Sequence, residues 1–366
     1  MKLVAISDLH LDASFAAYGL GPEVGRKLRA FMHQTLLNIV KLVKTTGADA
    51  LLCGGDLFEQ ERVSPKTAAL LRYAFAQIDP IPVYISPGNE DWYGPNSLYQ
   101  QEWSPNVHIF TATQLTPVDL GEGITLWGAA HCAPSGAPNF LRGFRTDPKG
   151  VHIGLFHGSE MSGFGDQGGS KFPHAPFEMK DLENSGLHHV FLGHYHQPIE
   201  GVLYTYPGSP HVLSSSERAC RGAVVADISP KGTVHRDWRP VSNFPFFDVE
   251  LDLTGCLNSD HVRDRLRASV ANLQGVARVT LQGEASPDLE LNLKDLAEAG
   301  YAIDLSLRTG RILPTFDLSA LAKEPTVRGQ FVRDVLDEKM EPDKRNRVLS
   351  AGLRALEGKE DLEALS

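Results

Sequence analysis

The chain has 366 residues, a hydrophobic fraction of 42% and a formal net charge of −10. This length exceeds what one hydrophobic core usually serves, so we expect one large domain and a smaller one. The negative charge argues against a broadly basic nucleic-acid-binding surface, although a local basic groove is compatible with it. No stretch of the sequence is long and apolar enough for a membrane span, and the first residues lack a signal-peptide cleavage pattern. We therefore expect a cytoplasmic protein with no membrane partner.

The cysteines are far apart in the sequence and form no CxxC pair. This spacing is typical of reduced, mostly buried thiols, so we expect neither a disulfide nor a zinc knuckle. The four residues are Cys53, Cys132, Cys220 and Cys256.

The first 240 residues alternate between short apolar runs and amphipathic stretches of helical period. Helices are predicted for Val24 to Thr45 and for Pro65 to Ile78. This alternation predicts a largely parallel sheet covered by helices. Two later runs, Val202 to Tyr206 and Gly222 to Ile228, are predicted to be antiparallel strands that close the sheet. The six predicted core strands are Lys2 to Ser7, Ala48 to Cys53, Pro82 to Ser86, Gly123 to Ala129, Val151 to Phe156 and His189 to Leu192.

The pattern changes after Pro240 to Pro245, a polar segment with two prolines that we interpret as a linker. We therefore place a first domain at residues 1–240, a small α/β domain at 246–310 and a helical segment at 311–366. The last segment should be helical and charged from Thr326 onward. The elements expected in the small domain are a strand at Phe247 to Leu253, a helix at Ser259 to Leu273, a strand at Ala277 to Gln282, a helix at Leu289 to Ala299 and a strand at Ala302 to Leu307.

Side chains able to bind a metal follow five of the predicted core strands. Ligands of open α/β sheets gather at the carboxyl ends of the strands, so we expect these five loops to converge. Asp, Asn and His suit Mn²⁺, Fe or Zn²⁺, and a bridging carboxylate would let such a set hold two ions. A lone histidine is more often a structural residue, but repeated coincidence of residue type, strand end and adjacent glycine favours a metal site. The residues are Asp8, His10, Asp56, Asn89, His157, His194 and His196.

Three further histidines, His131, His174 and His211, lie near predicted turns of the same domain. His131 and His211 could line the cleft. A structural role is nevertheless the commoner one for a loop histidine, so we leave all three out of the ligand set.

The candidate ligands lie in five motifs: Asp8-Leu9-His10, Gly55-Asp56, Gly88-Asn89-Glu90-Asp91, His157-Gly158 and Gly193-His194-Tyr195-His196. In order and spacing these motifs resemble those of the calcineurin-like metallophosphoesterases. The resemblance implies an α/β fold, with a metallophosphoesterase β-sandwich core flanked by helices, a small α/β capping domain and C-terminal helices. It implies that Asp8, His10 and His196 hold one ion, that Asn89, His157 and His194 hold the other, and that Asp56 bridges them.

Three further segments are informative: Gly55 to Glu59, Lys171 to Phe177 and Tyr206 to Ser209. They resemble the corresponding segments of the SbcD and YhaO group of bacterial DNA repair exonucleases. The resemblance implies a Mn²⁺-dependent nuclease that acts on DNA. It also implies a capping domain at Phe247 to Leu307 and helices at Thr326 to Gly358 that dock an SbcC-like coiled-coil ATPase; a homodimer stays open. Basic side chains for a DNA backbone would come from Arg26, Arg29, Arg62 and Lys171, for which surface ion pairs are the commoner role.

One position departs from the family pattern, which reads Gly-Asn-His-Asp where this chain has Gly88-Asn89-Glu90-Asp91. In the family the histidine, oriented by the aspartate, assists the leaving group, so Glu90 and Asp91 are the candidate catalytic residues here. A glutamate beside two dications would be ionised and unable to donate a proton. Two alternatives to a DNA nuclease therefore stay open: a phosphodiesterase or phosphatase for small substrates, and a metal-binding subunit with weakened catalysis.

Overall fold

The structure, a computed structural model, describes residues 1–14, 22–162, 172–211, 222–242, 246–273, 276–285, 289, 291–297, 304–314 and 316–356. Its contacts divide the chain into a first unit, Met1–Pro245, and a second unit, Phe246–Ser366. All seven predicted metal ligands belong to the first unit. No helix within the described ranges is long and apolar enough to cross a bilayer.

The first unit alternates strands and helices. Its helices in the described ranges are α1 (Pro22–Thr46), α2 (Pro65–Ala76) and α3 (Met179–Ser185). Its strands there are β1 (Lys2–Ile6), β2 (Ala50–Cys53), β3 (Val83–Ile85), β4 (Val107–Ile109), β5 (Thr116–Gly121), β6 (Ile124–Gly128), β7 (Val151–His157), β8 (His189–Gly193), β9 (Ile199–Glu200), β10 (Tyr204–Tyr206), β11 (Ala223–Ile228) and β12 (Val234–Arg239).

These strands form two six-stranded sheets that share one core. The strand orders are β12-β11-β1-β2-β3-β4 and β5-β6-β7-β8-β10-β9. One buried cluster combines Leu52 and Val224 of the first sheet with Leu126, Leu155 and Phe191 of the second. The two sheets therefore pack face to face as a sandwich. The predicted α/β fold with a sandwich core is confirmed.

The six predicted core strands are all present, as are both predicted helices. Two details of the sheet prediction were wrong. The strands form two mixed sheets rather than one largely parallel sheet. In addition, β10 pairs in parallel with β8 and is antiparallel only to the short β9, whereas β11 pairs antiparallel with β1 as predicted. Strand order depends on long-range pairing, which a local apolar run does not encode.

Local signals at the helix ends agree with the structure. The hydroxyl of Ser64 caps α2 by accepting a hydrogen bond from the backbone N–H of Thr67, and Pro65 occupies the first helical position, where its missing N–H costs nothing. Helix α1 is followed by Gly47, whose positive φ of 60° suits the residue after a helix. Both helices connect strands whose carboxyl ends carry predicted ligands.

Part of the predicted linker packs against the first unit. Val241 is buried, and its carbonyl accepts a hydrogen bond from Asn38 on α1. The hydroxyl of Thr35, also on α1, donates to the hydroxyl of Ser242. Residues 243–245 of that segment lie outside the described ranges.

The second unit contains one parallel sheet and several helices, in the predicted order. The sheet order is β13-β14-β15, and Leu251, Val279 and Leu281 lie in a core with Val262 and Leu266 of a helix. A separate apolar cluster includes Val332 and Leu349 of two C-terminal helices. The described elements are β13 (Phe246–Asp252), α4 (Ser259–Val270), β14 (Val276–Ala285), α5 (Leu293–Ala297), β15 (Asp304–Pro314), α6 (Leu318–Leu321), α7 (Val327–Asp337) and α8 (Pro342–Leu356).

Candidate metal centre

The predicted ligands follow strands of both sheets. Asp8, Asp56 and Asn89 lie beyond the carboxyl ends of β1, β2 and β3, which are parallel neighbours. His157 ends β7, and His194 follows the parallel strand β8. One edge of the sandwich thus brings together loops that are far apart in the sequence, as expected for a ligand site in an α/β sheet.

The first group of predicted ligands consists of Asp8, His10 and His196, whose donor atoms lie within 4.8 Å of one another. The Nε2 atoms of the two histidines are 3.1 Å apart. Each of these nitrogens lies 3.9 Å from Oδ1 of Asp8. Three side chains therefore point their donor atoms at a common centre.

Asp56 lies between this group and the remaining ligands. Its Oδ2 atom is 3.7 Å from Nε2 of His10 and 3.4 Å from Nε2 of His157. Asp8, Asp56 and His157 also form a second group whose donor atoms lie within 4.8 Å of one another. One carboxylate oxygen can thus reach ligands of both groups, which is the position a bridging residue needs.

Asn89 and His194 complete the cluster around His157. Oδ1 of Asn89 is 3.1 Å from Nε2 of His157, and the His194 ring centroid is 5.4 Å from that of His157. The backbone N–H of His194 donates to both carboxylate oxygens of Asp8, at 3.1 and 3.2 Å. The structure therefore brings all seven predicted ligands to one place.

The hydrogen bonds of two histidines indicate that the cluster fits cations. Nδ1 of His10 lies 2.8 Å from the Glu59 carboxylate, and Nδ1 of His157 lies 2.9 Å from the Gly54 carbonyl. Both partners accept, so Nδ1 carries the proton and a neutral ring presents its Nε2 lone pair. Both lone pairs face Asp56, itself an acceptor. Acceptors that converge in this way repel one another unless a proton or a metal ion lies among them, and with both rings neutral the donor set fits divalent ions.

Burial and neighbouring charges shift the pKa values of these groups when no ion is bound. Burial lowers the pKa of His10, but the hydrogen bond to Glu59 and the charges of Asp56 and Asp8 outweigh it and raise the pKa to about 9. Burial lowers the pKa of His157 well below its usual range and raises that of Asp56 well above its usual range. His157 is thus already neutral and able to ligate, whereas His10 must release a proton to bind a metal.

The backbone is strained at four of the predicted ligands. Asp8, His10, Asp56 and His194 have positive φ angles of 53°, 44°, 53° and 110°, a region that few residues other than glycine adopt. Two of these loops hold each other, since the N–H of Asp8 donates to the Gly55 carbonyl and that of His10 to the Asp56 carbonyl. Backbone strain that the surrounding fold maintains is characteristic of functional sites.

Glycines permit the close approach of the loops. A Cβ atom at Gly88 would clash with Oδ1 of Asp56 and lie 2.7 Å from Nδ1 of His157. A Cβ atom at Gly193 would clash with the Gly54 carbonyl. These positions therefore exclude any larger residue without movement of the ligands.

The first 198 residues match a protein-family model described as calcineurin-like phosphoesterase. The chain belongs to the calcineurin-like phosphoesterase family. The family match identifies the chain as a metal-dependent phosphoesterase of a family that binds divalent ions. The resemblance found in the sequence motifs is confirmed.

Three relatives of this phosphoesterase are informative. The uncharacterized metallophosphoesterase YhaO of Bacillus subtilis is 24% identical over 303 residues, which are 78% of this chain and 72% of that one. The DNA double-strand break repair protein Mre11 of Methanopyrus kandleri is 23% identical over 320 residues, 79% of this chain and 66% of that one. The Mre11 protein of Haloferax volcanii is 33% identical over 120 residues, covering 31% of this chain and 27% of that one.

Asp91 of the phosphoesterase is buried and joins two ligand loops. Its Oδ1 accepts hydrogen bonds from the N–H groups of Gly88 (2.6 Å) and Asp56 (3.0 Å). Its Oδ2 accepts from the N–H of Leu57 (2.7 Å) and the hydroxyl of Tyr99 (2.6 Å). The carboxylate thus holds the loop after β2 against the loop after β3.

Glu90, the residue at the divergent position, contacts its neighbours in the cluster. Its Oε1 accepts a hydrogen bond from Nδ2 of Asn89 at 2.9 Å, and its side chain contacts that of Glu59. The backbone N–H of Glu90 donates to Oδ1 of Asp56. Sequence reasoning missed the role of Glu59, although its place three residues after Asp56 puts it in a ligand loop.

Two of the three histidines left out of the ligand set, His131 and His174, lie close to it. His131 is fully buried, and its Nε2 donates to the backbone carbonyl of His157 at 2.9 Å. Burial lowers the pKa of His131 to about 4, so it is neutral. The ring of His174 lies 5.3 Å from that of His194, and His211 is buried. His131 therefore supports the loop that presents His157.

The basic residues and the cysteines named in the sequence analysis differ in how exposed they are. Arg26 and Arg62 are exposed and Arg29 is half-buried. Lys171 and Cys220 lie outside the described residues. The remaining cysteines are free thiols: Cys53 and Cys256 are buried, and Cys132 is exposed.

Proposed function

We propose that this phosphoesterase is a two-metal phosphodiester hydrolase, and that its substrate is DNA, which it cuts as a Mn²⁺-dependent exonuclease or endonuclease. The observation that carries the two-metal assignment is the position of Asp56 Oδ2, which lies within 3.7 Å of Nε2 of His10 and 3.4 Å of Nε2 of His157. A carboxylate shared between two ligand groups is what distinguishes a two-ion site from two unrelated polar clusters.

Each ligand has a defined role in this proposal. One ion would be held by Asp8, His10 and His196, the other by Asn89, His157 and His194, and both by Asp56. Two bound dications would activate water and neutralise the charge that develops on the phosphoryl oxygens. Mn²⁺, Fe and Zn²⁺ are all compatible with this oxygen and imidazole set, and we propose Mn²⁺ as the occupant.

DNA as the substrate is supported by the relatives and by the order of elements. The alignment with the Mre11 protein of Methanopyrus kandleri covers 79% of this chain, beyond the family domain itself. We propose that the second unit contains a capping domain at 246–310, and that residues 326–358 dock an SbcC-like coiled-coil ATPase. Exposed Arg26 and Arg62 would contact the DNA backbone. A homodimer is compatible with this arrangement.

One observation favours a second function, hydrolysis of smaller or activated phosphodiesters. The side chain of Glu90 occupies the position of the family's histidine and is hydrogen-bonded to Asn89. An ionised carboxylate there cannot protonate a leaving alkoxide, so cleavage would depend on a leaving group that departs unaided. A metal-binding subunit with weakened catalysis is the limiting case of this alternative.

A nuclease assay with Mn²⁺ tests the proposal. Single-stranded and double-stranded DNA should be cut by the wild type and not by Asp56→Asn, which replaces the bridging carboxylate. A parallel panel of aryl phosphodiesters and phosphomonoesters measures the alternative. DNA left intact while an aryl phosphodiester is hydrolysed would refute the DNA assignment and favour the small-substrate function.

Removal of residues 326–358 tests the docking segment. The truncated protein should keep its metal content and its turnover of small esters, and lose co-purification with an SbcC-like ATPase. Lost metal binding would instead mean that the segment supports the catalytic core.

A further inference from the structure

Glu59 holds one ligand of the first ion site. Its Oε1 lies 2.8 Å from Nδ1 of His10, and its side chain is only 18% exposed. This contact fixes the ring orientation and keeps the proton on Nδ1, so that Nε2 faces Asp8 and His196. A carboxylate behind a ligating imidazole orients the ring and increases its basicity.

Glu90 holds one ligand of the second ion site. The amide of Asn89 can rotate to present either its oxygen or its nitrogen, and only the oxygen binds a cation. Because Nδ2 of Asn89 donates to Oε1 of Glu90 at 2.9 Å, Oδ1 is left facing Nε2 of His157 at 3.1 Å. Glu90 therefore selects the ligating orientation of the amide.

The two glutamates also contact each other through their side chains. Their backbones are held independently, since the N–H of Glu59 donates to the Leu11 carbonyl and that of Glu90 to Asp56. Truncating either side chain would leave these backbone bonds in place. The side chains thus act on the ligands rather than on the loops.

We propose that Glu59 and Glu90 are positioning residues for the two ions, with Glu59 orienting His10 and Glu90 orienting Asn89. This inference rests on the proposed two-metal function. It assigns to Glu90 the orientation of a ligand, a role that does not require it to transfer a proton. Each glutamate should affect the ion that its own ligand binds. Loss of a partner of this kind typically weakens metal binding about 10-fold to 100-fold.

Titration with Mn²⁺, followed by electron paramagnetic resonance of free and bound ion, measures this effect without turnover. Glu59→Ala and Glu90→Ala should each weaken one equivalent of Mn²⁺ by about 10-fold to 100-fold and leave the other near its wild-type affinity. Glu59→Gln and Glu90→Gln keep an acceptor oxygen and should recover most of the lost affinity. Glu61→Ala is the matched control, because Glu61 is exposed and lies in the same segment. This variant should bind both equivalents of Mn²⁺ with wild-type affinity.

A second readout addresses His10 directly and does not depend on the alanine variants folding. In Zn²⁺-loaded protein with ¹⁵N-labelled histidine, the Nδ1–H resonance of His10 should shift in Glu59→Gln and remain unchanged in Glu61→Gln. If the wild type binds two equivalents but both Glu→Ala variants keep its affinity, the inference is wrong while the two-metal proposal stands. The same conclusion follows if the His10 resonance does not shift in Glu59→Gln. Wild type that binds fewer than two equivalents would contradict the proposed function, and the inference with it.

Discussion

Replacement of Asp91 by asparagine tests whether this carboxylate holds the two ligand loops together. In the folded protein each carboxylate oxygen accepts two hydrogen bonds: Oδ1 from Gly88 and Asp56, and Oδ2 from Leu57 and Tyr99. Asparagine has nearly the same shape but exchanges one of these oxygens for an NH₂ group. Whichever way the amide is oriented, two donors lose their acceptor.

The loss of folding stability depends on which two donors lose their acceptor. The more favourable orientation places the NH₂ group toward Leu57 and Tyr99, because the Tyr99 hydroxyl can rotate and accept from it. The buried N–H of Leu57 then stays unpaired, which costs about 1–3 kcal/mol. The bonds from Gly88 and Asp56 lose the assistance of the charge, roughly 1 kcal/mol in total. We therefore expect Asp91→Asn to lower the free energy of unfolding by about 3 kcal/mol.

Urea unfolding of metal-free protein, followed by tryptophan fluorescence, measures this loss. All four tryptophans, Trp92, Trp103, Trp127 and Trp238, belong to the first unit, so the signal reports on the unit that contains the site. Tyr99→Phe is the matched control and should cost only about 1 kcal/mol, since it removes one of the four donors. An Asp91→Asn variant within about 0.5 kcal/mol of wild type would refute the reasoning, because surface substitutions have effects of that size.

Three further predictions concern the metal ligands and the core. Because the pKa of His10 is raised to about 9, Mn²⁺ must displace its proton, so apparent affinity should rise about tenfold per pH unit below pH 9; calorimetry in two buffers that detects no released proton would contradict this. Burial lowers the pKa of His189 to about 3, so its stability contribution is complete above pH 6.5 and decreases as pH falls. Between pH 7 and pH 5 this contribution should fall by about 2 kcal/mol, which urea unfolding measures as the extra stability that the wild type loses relative to His189→Gln; equal losses in the two proteins would contradict it. Gly88→Ala should abolish binding of at least one ion, because its Cβ would displace Asp56; two equivalents found by elemental analysis would exclude the clash.

The sequence predicts the buried part of the sandwich better than its edges. Strands such as β2, buried along its whole length, appear in the sequence as continuous apolar runs. The edge strands β5 and β12 alternate exposed and half-buried residues, and the short β4 is only partly buried, so none of the three was predicted. The pairing of β10 with β8 depends on the path of the whole chain and has no local signature.

For the site, residue type and adjacent glycines were sufficient to predict the seven residues that the structure brings together, but not the residues that hydrogen-bond to them. Asp8 and His157 lie at strand ends, where ligands are expected. Glu59 contacts the ring of His10, and His131 contacts the backbone carbonyl of His157. Such contacts depend on how loops meet in space, so spacing along the chain does not reveal them.

The metal content of purified protein tests the central claim most directly. After loading with Mn²⁺ and removal of free ion, elemental analysis should find two equivalents per chain in the wild type. His157→Ala removes an imidazole that solvent cannot replace at equal affinity and should retain no more than one equivalent, with nearly all hydrolysis lost. Two full equivalents in His157→Ala, or fewer than two in the wild type, would contradict a two-ion site built from these seven residues.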